Sequence, residues 1–247
     1  MSLTRIILLA AVAMPGTAAA DSDWEYTGKF YGWFPGVTTT VETPIGEVEA
    51  EVDFDEVLET LDIAFLGAFE ARKGRLSLIG DLQYFDVSAE TERAPGAFTG
   101  AEIDSQLVIF SAYSTYALVD SNDLRFDIGG GLRFNGSSVE AKLEEDGGAS
   151  GPSFEDDGGW TDLLFAARVR SQFSDKWYGT GYADVGGFGI GDSSELTWQV
   201  SAGLGYEFND TWSMVGGYRH YSVEHGDELV TATVEVSGPF LGVDIAF

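Results

Sequence analysis

Two histidines make up the imidazole chemistry of this chain, His220 and His225. Ser222 and Glu224 follow His220 at intervals of two, so an extended backbone would project all three from one face. A base beside a hydroxyl, with a carboxylate next in line, is the minimum for a histidine-activated serine. The plainer reading is a polar row beside Tyr218 and Tyr221, the kind of residue that gathers at a membrane–water boundary without doing chemistry. His225 with Asp227 and Glu228 forms a second histidine–carboxylate group of no defining spacing. Which surface these side chains occupy depends on the strands that carry them.

Those strands are written in alternation. Leu124, Phe126, Ile128, Gly130, Leu132 and Phe134 share one face, and Arg125, Asp127, Arg133 and Asn135 the other. Likewise Trp198, Val200, Ala202, Leu204, Tyr206 and Phe208 oppose Thr197, Gln199, Ser201 and Glu207. Ten such segments are expected, at approximately 24–41, 62–73, 75–91, 102–119, 124–142, 160–173, 177–190, 196–208, 212–224 and 229–247. Most exceed the ~9–11 residues that a tilted strand needs to cross a bilayer. At the end of the chain Leu241, Val243, Ile245 and Phe247 alternate with Gly242, Asp244 and Ala246. A last strand ending on a large exposed ring suits lipid and not water. The expected fold class is therefore all-β: a closed antiparallel transmembrane β-barrel of about ten strands, with eight or twelve as alternatives. The four apolar C-terminal side chains are the expected signal for barrel-assembly machinery.

Residues 1–20 read as a signal peptide, with Arg5, an apolar run from Ile6 to Val12 and Ala18-Ala19-Ala20 before Asp21. That run is too short to span ~30 Å of hydrocarbon, and no later segment could form a spanning helix. Residues 21–247 then form one outer-membrane barrel domain. The cysteine count of 0 excludes a disulfide framework. A formal net charge of −28, from 41 acidic and 13 basic residues, makes nucleic acid a poor partner. The expected location is the cell outer membrane, with its lipid and lipopolysaccharide as partners and a monomer as the working unit.

Connections are terse at one end, as at Lys73-Gly74-Arg75 and Asn209-Asp210-Thr211, and mostly longer at the other, over 42–61, 92–101, 143–159, 191–195 and 225–228. Short periplasmic turns and long extracellular loops give this asymmetry. An even strand count keeps both termini at the short-turn end, which makes Glu47–Asp53 part of an extracellular excursion. Within it, Asp53 and Glu56 resemble a capping box, and Phe54, Val57, Leu58 and Leu61 form one stripe. A helix over 54–61 is expected, as a lid on the rim or a plug in the lumen. Residues 42–62 carry nine carboxylates and no base, and Glu144-Glu145-Asp146 and Glu155-Asp156-Asp157 add to the acidic loops. Divalent cations would associate with them and bridge lipopolysaccharide phosphates. The EF-hand pattern is missing, so no defined metal site is expected, and no cofactor.

With the apolar face to lipid, a charge network turns inward. Its acids are Glu70, Asp81, Asp104, Asp127, Asp162, Asp184, Glu207 and Asp244, and its bases Arg72, Arg125, Arg133, Arg168, Arg170 and Arg219. Every expected inward base is arginine, whose planar fork suits bidentate carboxylate pairing in a confined space. Such a network is either a packed polar core or a selectivity ladder along a water path. Side chains fill a barrel of about eight strands and open channels belong to about 16, so ten strands favour the packed core. A small-solute leak is compatible with both.

The His220-x-Ser222 pair resembles the His-x-Ser arrangement of outer-membrane lipid A deacylases, and its register places it on the lipid side. An omptin-like protease is the other enzymatic alternative for ten strands. It would require acidic residues and a His–Asp pair at the extracellular mouth, where Asp227 and Glu228 could join His225. Along nearly the whole chain, Trp33-Phe34-Pro35-Gly36, Phe69-Glu70-Ala71-Arg72, Gly186-Gly187-Phe188-Gly189, Thr197-Trp198-Gln199, Gly217-Tyr218-Arg219 and Ser237-Gly238-Pro239 resemble, in order, a group of largely uncharacterised proteobacterial outer-membrane barrel proteins. The resemblance implies fold and location and no reaction, and His220 departs from the aromatic usual there. The expected role is structural or surface-interacting, with limited small-solute passage allowed, and an enzyme acting on lipid A or peptides is the alternative.

Overall fold

The computed structural model describes residues 24–43, 46–52, 61–91, 100–145, 149–226 and 231–247. Their strands are β1 (Glu25–Trp33), β2 (Gly36–Thr43), β3 (Gly46–Val52), β4 (Leu61–Lys73), β5 (Leu76–Thr91) and β6 (Gly100–Asp120), followed by β7 (Leu124–Glu145), β8 (Ala149–Gln172), β9 (Trp177–Gly187), β10 (Leu196–Glu207), β11 (Trp212–Gly226) and β12 (Thr231–Ala246). β1 and β4 to β12 form a ten-stranded wall, and β12 pairs back with β1 to close it. Closure leaves no free edge in the hydrocarbon, where an unpaired backbone group costs several kcal/mol.

The segment expected as one strand over 24–41 is interrupted at Phe34-Pro35. β12 passes both halves, with Trp33 opposite Phe240 and Gly36 opposite Ser237. Phe34 N still donates to Pro239 O at 3.0 Å, but Pro35 has no N–H and the ladder breaks there. Above the break the partner changes. β1 pairs with β4 from Glu25–Arg72 to Phe30–Gly67, whereas β2 turns into β3 and builds a hairpin outside the wall. Residues 46–52 are therefore a strand, but not a spanning one.

Alternation places the two solvents as expected. Leu132 is 53 % exposed and Leu204 59 %, while the neighbouring Arg133 is 1 % exposed. On β7 the outward apolar row runs from Leu124 to Phe134. At ~3.3 Å per residue and a tilt of ~40° those ten steps cover about 25 Å, the height of an outer-membrane belt. Aromatic clusters mark its short-turn edge: Tyr26, Phe69 and Phe247 lie 5.9 to 6.4 Å apart, and Tyr206 meets Trp177 at 5.0 Å and Phe208 at 5.2 Å.

One expected loop is a paired extension instead. Ladder pairing continues from Gly136–Gly159 up to Glu145–Ala149, so Glu144, Glu145 and Glu155 to Asp157 lie on strands. Above the hydrocarbon both faces can be polar, and the Gly-, Ser- and Asp-rich sequence loses its alternation while keeping its hydrogen bonds. The helix expected over 54–61 lies outside the described residues, apart from Leu61, which opens β4. The signal peptide also lies outside them.

Candidate functional site: the charged lumen

Charges line the bore in tiers. At the short-turn mouth Arg72 pairs with Glu25. Arg170 meets Glu207 at 2.6 Å and lies over the Tyr178 ring, 3.4 Å from its centroid. Arg125 reaches Asp120 at 3.1 Å and Asp127 at 3.0 Å. One tier up, Arg168 grips Glu70 with both arms at 3.1 and 3.0 Å. Lys29 stands 3.8 Å from Glu70 and 3.7 Å from Asp244. Asp81 accepts from Tyr31 at 2.9 Å and from Gln83 at 3.0 Å. Arg219 reaches Tyr31 at 3.3 Å and donates Nε to Gln199 at 3.0 Å.

The innermost pair is Arg133–Asp184, 2.6 Å apart, with side chains 1 % and 0 % exposed. Arg133 also donates to Ser111 at 3.2 Å and Thr197 at 3.1 Å. Asp184 accepts from Tyr182 and Gln199, each at 2.7 Å. Buried charge is tolerable only when paired and hydrogen-bonded, and the fork of Arg133 meets that requirement on three sides. Higher still, Asp162 takes Ser194 N at 2.8 Å and Asn135 at 2.9 Å. This brings the β9–β10 connection into the mouth. Gly187, at φ +87°, permits the fold-back, because a Cβ there would lie 2.5 Å from Ser194 O.

Beside these charges, at the same height, part of the inward face is apolar: Arg133 lies 5.2 Å from the Tyr221 ring and Arg219 4.8 Å from the Trp33 ring. Trp33, Leu66, Ile109, Tyr221 and Val223 form a buried cluster joined by Phe85, Trp160, Val236 and Phe240. Below it, a cavity of about 260 Å³ occupies the short-turn half, with Lys29, Glu70, Asp81, Tyr113, Arg168 and Arg219 among its lining residues.

The expected inward set is assembled there with one correction. Asp104 shares its face with Gln106, Val108 and Phe110, on the outward side of β6, where it pairs with Lys142 and accepts from Ser88, each at 3.0 Å. At that height the two faces no longer differ in polarity, with Ser105 on one and Gln106 on the other, so polarity misleads about direction. Lys29 is a second departure, since arginine is not the only inward base. It was obscured because β1 carries aromatic rings on both faces, Phe30 against Tyr31 and Trp33. The inward tyrosines Tyr31, Tyr113, Tyr178 and Tyr182 were missed as well, because a tyrosine on a barrel strand reads as girdle.

His220 faces lipid, as its register required. Its Nδ1 meets the hydroxyl of Ser237 across the ladder, while Ser222 lies opposite Trp198 and Glu235, and Glu224 opposite Leu196 and Thr233. His225 turns inward at the mouth and stacks on Trp160 with centroids 4.0 Å apart. Asp227 and Glu228 lie outside the described residues. Among the described residues no cluster of three or more histidine and acidic side chains is arranged to hold a metal ion. Leu241, Val243 and Phe247 point outward and are exposed, and Ile245 shares their face.

The fold is that of the small outer-membrane β-barrels. The outer membrane protease OmpT from Escherichia coli superposes with a TM-score of 0.54 at 10 % identity, over 94 % of this chain and 99 % of OmpT. The translocator domain of the autotransporter NalP from Neisseria meningitidis gives 0.51 at 14 % identity, over 92 % of this chain and 89 % of that domain. At such identities the likeness concerns architecture alone. No protein-family model matches the chain, and no curated protein sequence does.

Proposed function

We propose that this chain is a monomeric outer-membrane barrel with a structural and surface-interacting role, and that its lumen is sealed against through-passage. The observation that carries this reading is that charged and apolar side chains close one level of the bore together: the buried Arg133–Asp184 pair, with Arg133 5.2 Å from the Tyr221 ring, and the Trp33–Leu66–Ile109–Tyr221–Val223 cluster to which that ring belongs. Side chains of a barrel this narrow can meet across it, and here they do. The apolar belt would contact membrane lipid. The acidic hairpin extensions would face lipopolysaccharide, with divalent cations between carboxylates and phosphates. The C-terminal strand would engage the assembly machinery through Leu241, Val243, Ile245 and Phe247. The 260 Å³ cavity supports a second reading, small-solute passage from the short-turn side.

Reconstitution in planar bilayers separates the two. A sealed barrel gives no unitary conductance steps in the native chain. Regular steps would overturn the sealed lumen and establish passage.

A further inference from the structure

The outer wall carries an arrangement that the lumen does not use. β11 and β12 pair so that His220 faces Ser237 and Ser222 faces Glu235. His220 Nδ1 is in hydrogen-bond contact with Ser237 Oγ, and its Nε2 lies 3.8 Å from a Glu235 carboxylate oxygen. The Trp198 indole lies against the imidazole, centroids 4.6 Å apart at 35°, and restrains the ring plane. Nucleophile and base thus stand in contact on one patch of wall, the pairing that activates a serine, with the Glu235 carboxylate near the ring's other nitrogen, which has no hydrogen-bond partner.

The height of the patch matters as much as its geometry. Just below it on the same two strands, Tyr218 and Leu241 are exposed apolar residues of the belt. From His220 and Ser237 upward the outward residues become polar, through Ser222, Glu224, Glu235 and Thr233. The imidazole therefore stands at the border between hydrocarbon and headgroups, the depth at which the ester bonds of a lipid lie.

We propose that Ser237 and His220, positioned by Glu235, form a serine esterase site on the lipid-facing wall, acting on ester-linked acyl chains of the outer leaflet. Ser237 Oγ attacks the acyl carbonyl carbon as His220 Nδ1 takes its proton, while the Glu235 carboxylate favours the tautomer that keeps the other proton on Nε2. The ester C–O bond then breaks, and Nδ1 returns the proton to the departing alkoxide. Water attacks the acyl-serine with Nδ1 again as base, releasing the fatty acid and restoring the hydroxyl. Ser237 and His220 are the catalytic residues; Glu235 and Trp198 are positioning residues.

The test uses the refolded full-length barrel in mixed micelles with p-nitrophenyl palmitate, alongside labelling by a fluorophosphonate. Label is expected on Ser237, and p-nitrophenol release is expected to fall about 100-fold or more in Ser237→Ala and His220→Ala. In Glu235→Gln, kcat should fall about tenfold at unchanged KM, with Glu235→Asp recovering part of it. Ser222→Ala should keep the native rate. Heat-modifiable migration of each variant confirms that its barrel is intact. Absence of label on Ser237, or equal hydrolysis by the native chain and Ser237→Ala, overturns the site. Faster turnover of p-nitrophenyl acetate than of the palmitate overturns the lipid assignment.

Discussion

Asp184→Ala and Arg133→Ala are each expected to be strongly damaging, because the two residues form one buried pair. Neither side chain is more than 1 % exposed, so water can relieve neither charge. Removing the carboxylate leaves the Arg133 guanidinium with Ser111 and Thr197 hydroxyls and, 5.2 Å away, the Tyr221 ring. A buried charge stripped of its partner costs about 3–5 kcal/mol, which is two to almost four orders of magnitude in the folding constant at ~1.4 kcal/mol per tenfold. Removing the guanidinium instead leaves Asp184 with donors still in place from Tyr182 and Gln199. Hydrogen bonds to a charged group are worth about 1.5–3 kcal/mol each, and two survive in either single variant, while Asp184 Oδ1 has no partner, so neither stranded charge is more than partly compensated. Arg133→Ala with Asp184→Ala deletes both charges and should be less harmful than the sum of the single changes by at least about 2 kcal/mol. Urea unfolding in lipid vesicles, followed by tryptophan fluorescence, measures all four corners of the cycle. A coupling below about 0.5 kcal/mol would refute the assignment of this pair as a desolvated centre.

Gly131→Val should abolish the heat-modifiable folded form, because a Cβ there would sit 2.2 Å from Ala112 O and 2.5 Å from Tyr113 Cα, and backbone cannot yield. Gly74→Ala makes the contrast: its φ of +56° carries strain, but nothing lies within 4 Å, so unfolding should show a loss of only about 1–2 kcal/mol. Above the belt, the Lys142 ammonium and then the Ser88 hydroxyl bond the Asp104 carboxylate and hold its pKa below the ordinary carboxylate value. A depressed carboxylate stabilises the fold above its unfolded pKa of ~3.9 and loses that contribution as pH falls through the folded value. Amide exchange in the upper β6–β7 ladder should accordingly quicken in acid, and Lys142→Met should remove the pH dependence. Unchanged exchange across that range would contradict the pairing.

What the residues disclosed on their own follows from where two solvents meet. A wall with lipid outside and polar groups inside prints a period of two, and Leu132 beside Arg133 or Leu204 beside Gly203 and Gly205 is decisive without coordinates. That pattern holds only across the hydrocarbon and only while the lumen stays polar. It vanishes at 149–159, where both faces of β8 are wet, and it has faded at Asp104, where Ser105 and Gln106 make both faces of β6 polar. Register across the ladder is harder still, because it is a property of two distant segments. The sequence offers Ser222 to His220 by proximity, whereas the hydroxyl that reaches the ring belongs to Ser237, seventeen residues away on the next strand. In the same way Lys29, Glu70 and Asp244 come together from β1, β4 and β12 only because the barrel closes.

The two halves of the lumen depend on one another. Arg219 marks their junction: its guanidinium carbon lies 4.8 Å from the ring centroid of Trp33, a member of the apolar cluster, with Tyr31 and Gln199 around its nitrogens. The apolar cluster lowers the local dielectric beside the ion pairs and strengthens them. The ion pairs in turn neutralise buried charge beside the cluster, which under the proposed seal would otherwise draw water into the bore. A ten-stranded bore is wider than one layer of side chains fills, which accounts for the residual 260 Å³ cavity at the mouth side, where Lys29 remains partly hydrated. The proposed seal therefore does not require every side chain to touch its opposite. It requires only that the apolar cluster and the Arg133–Asp184 pair together interrupt the water column.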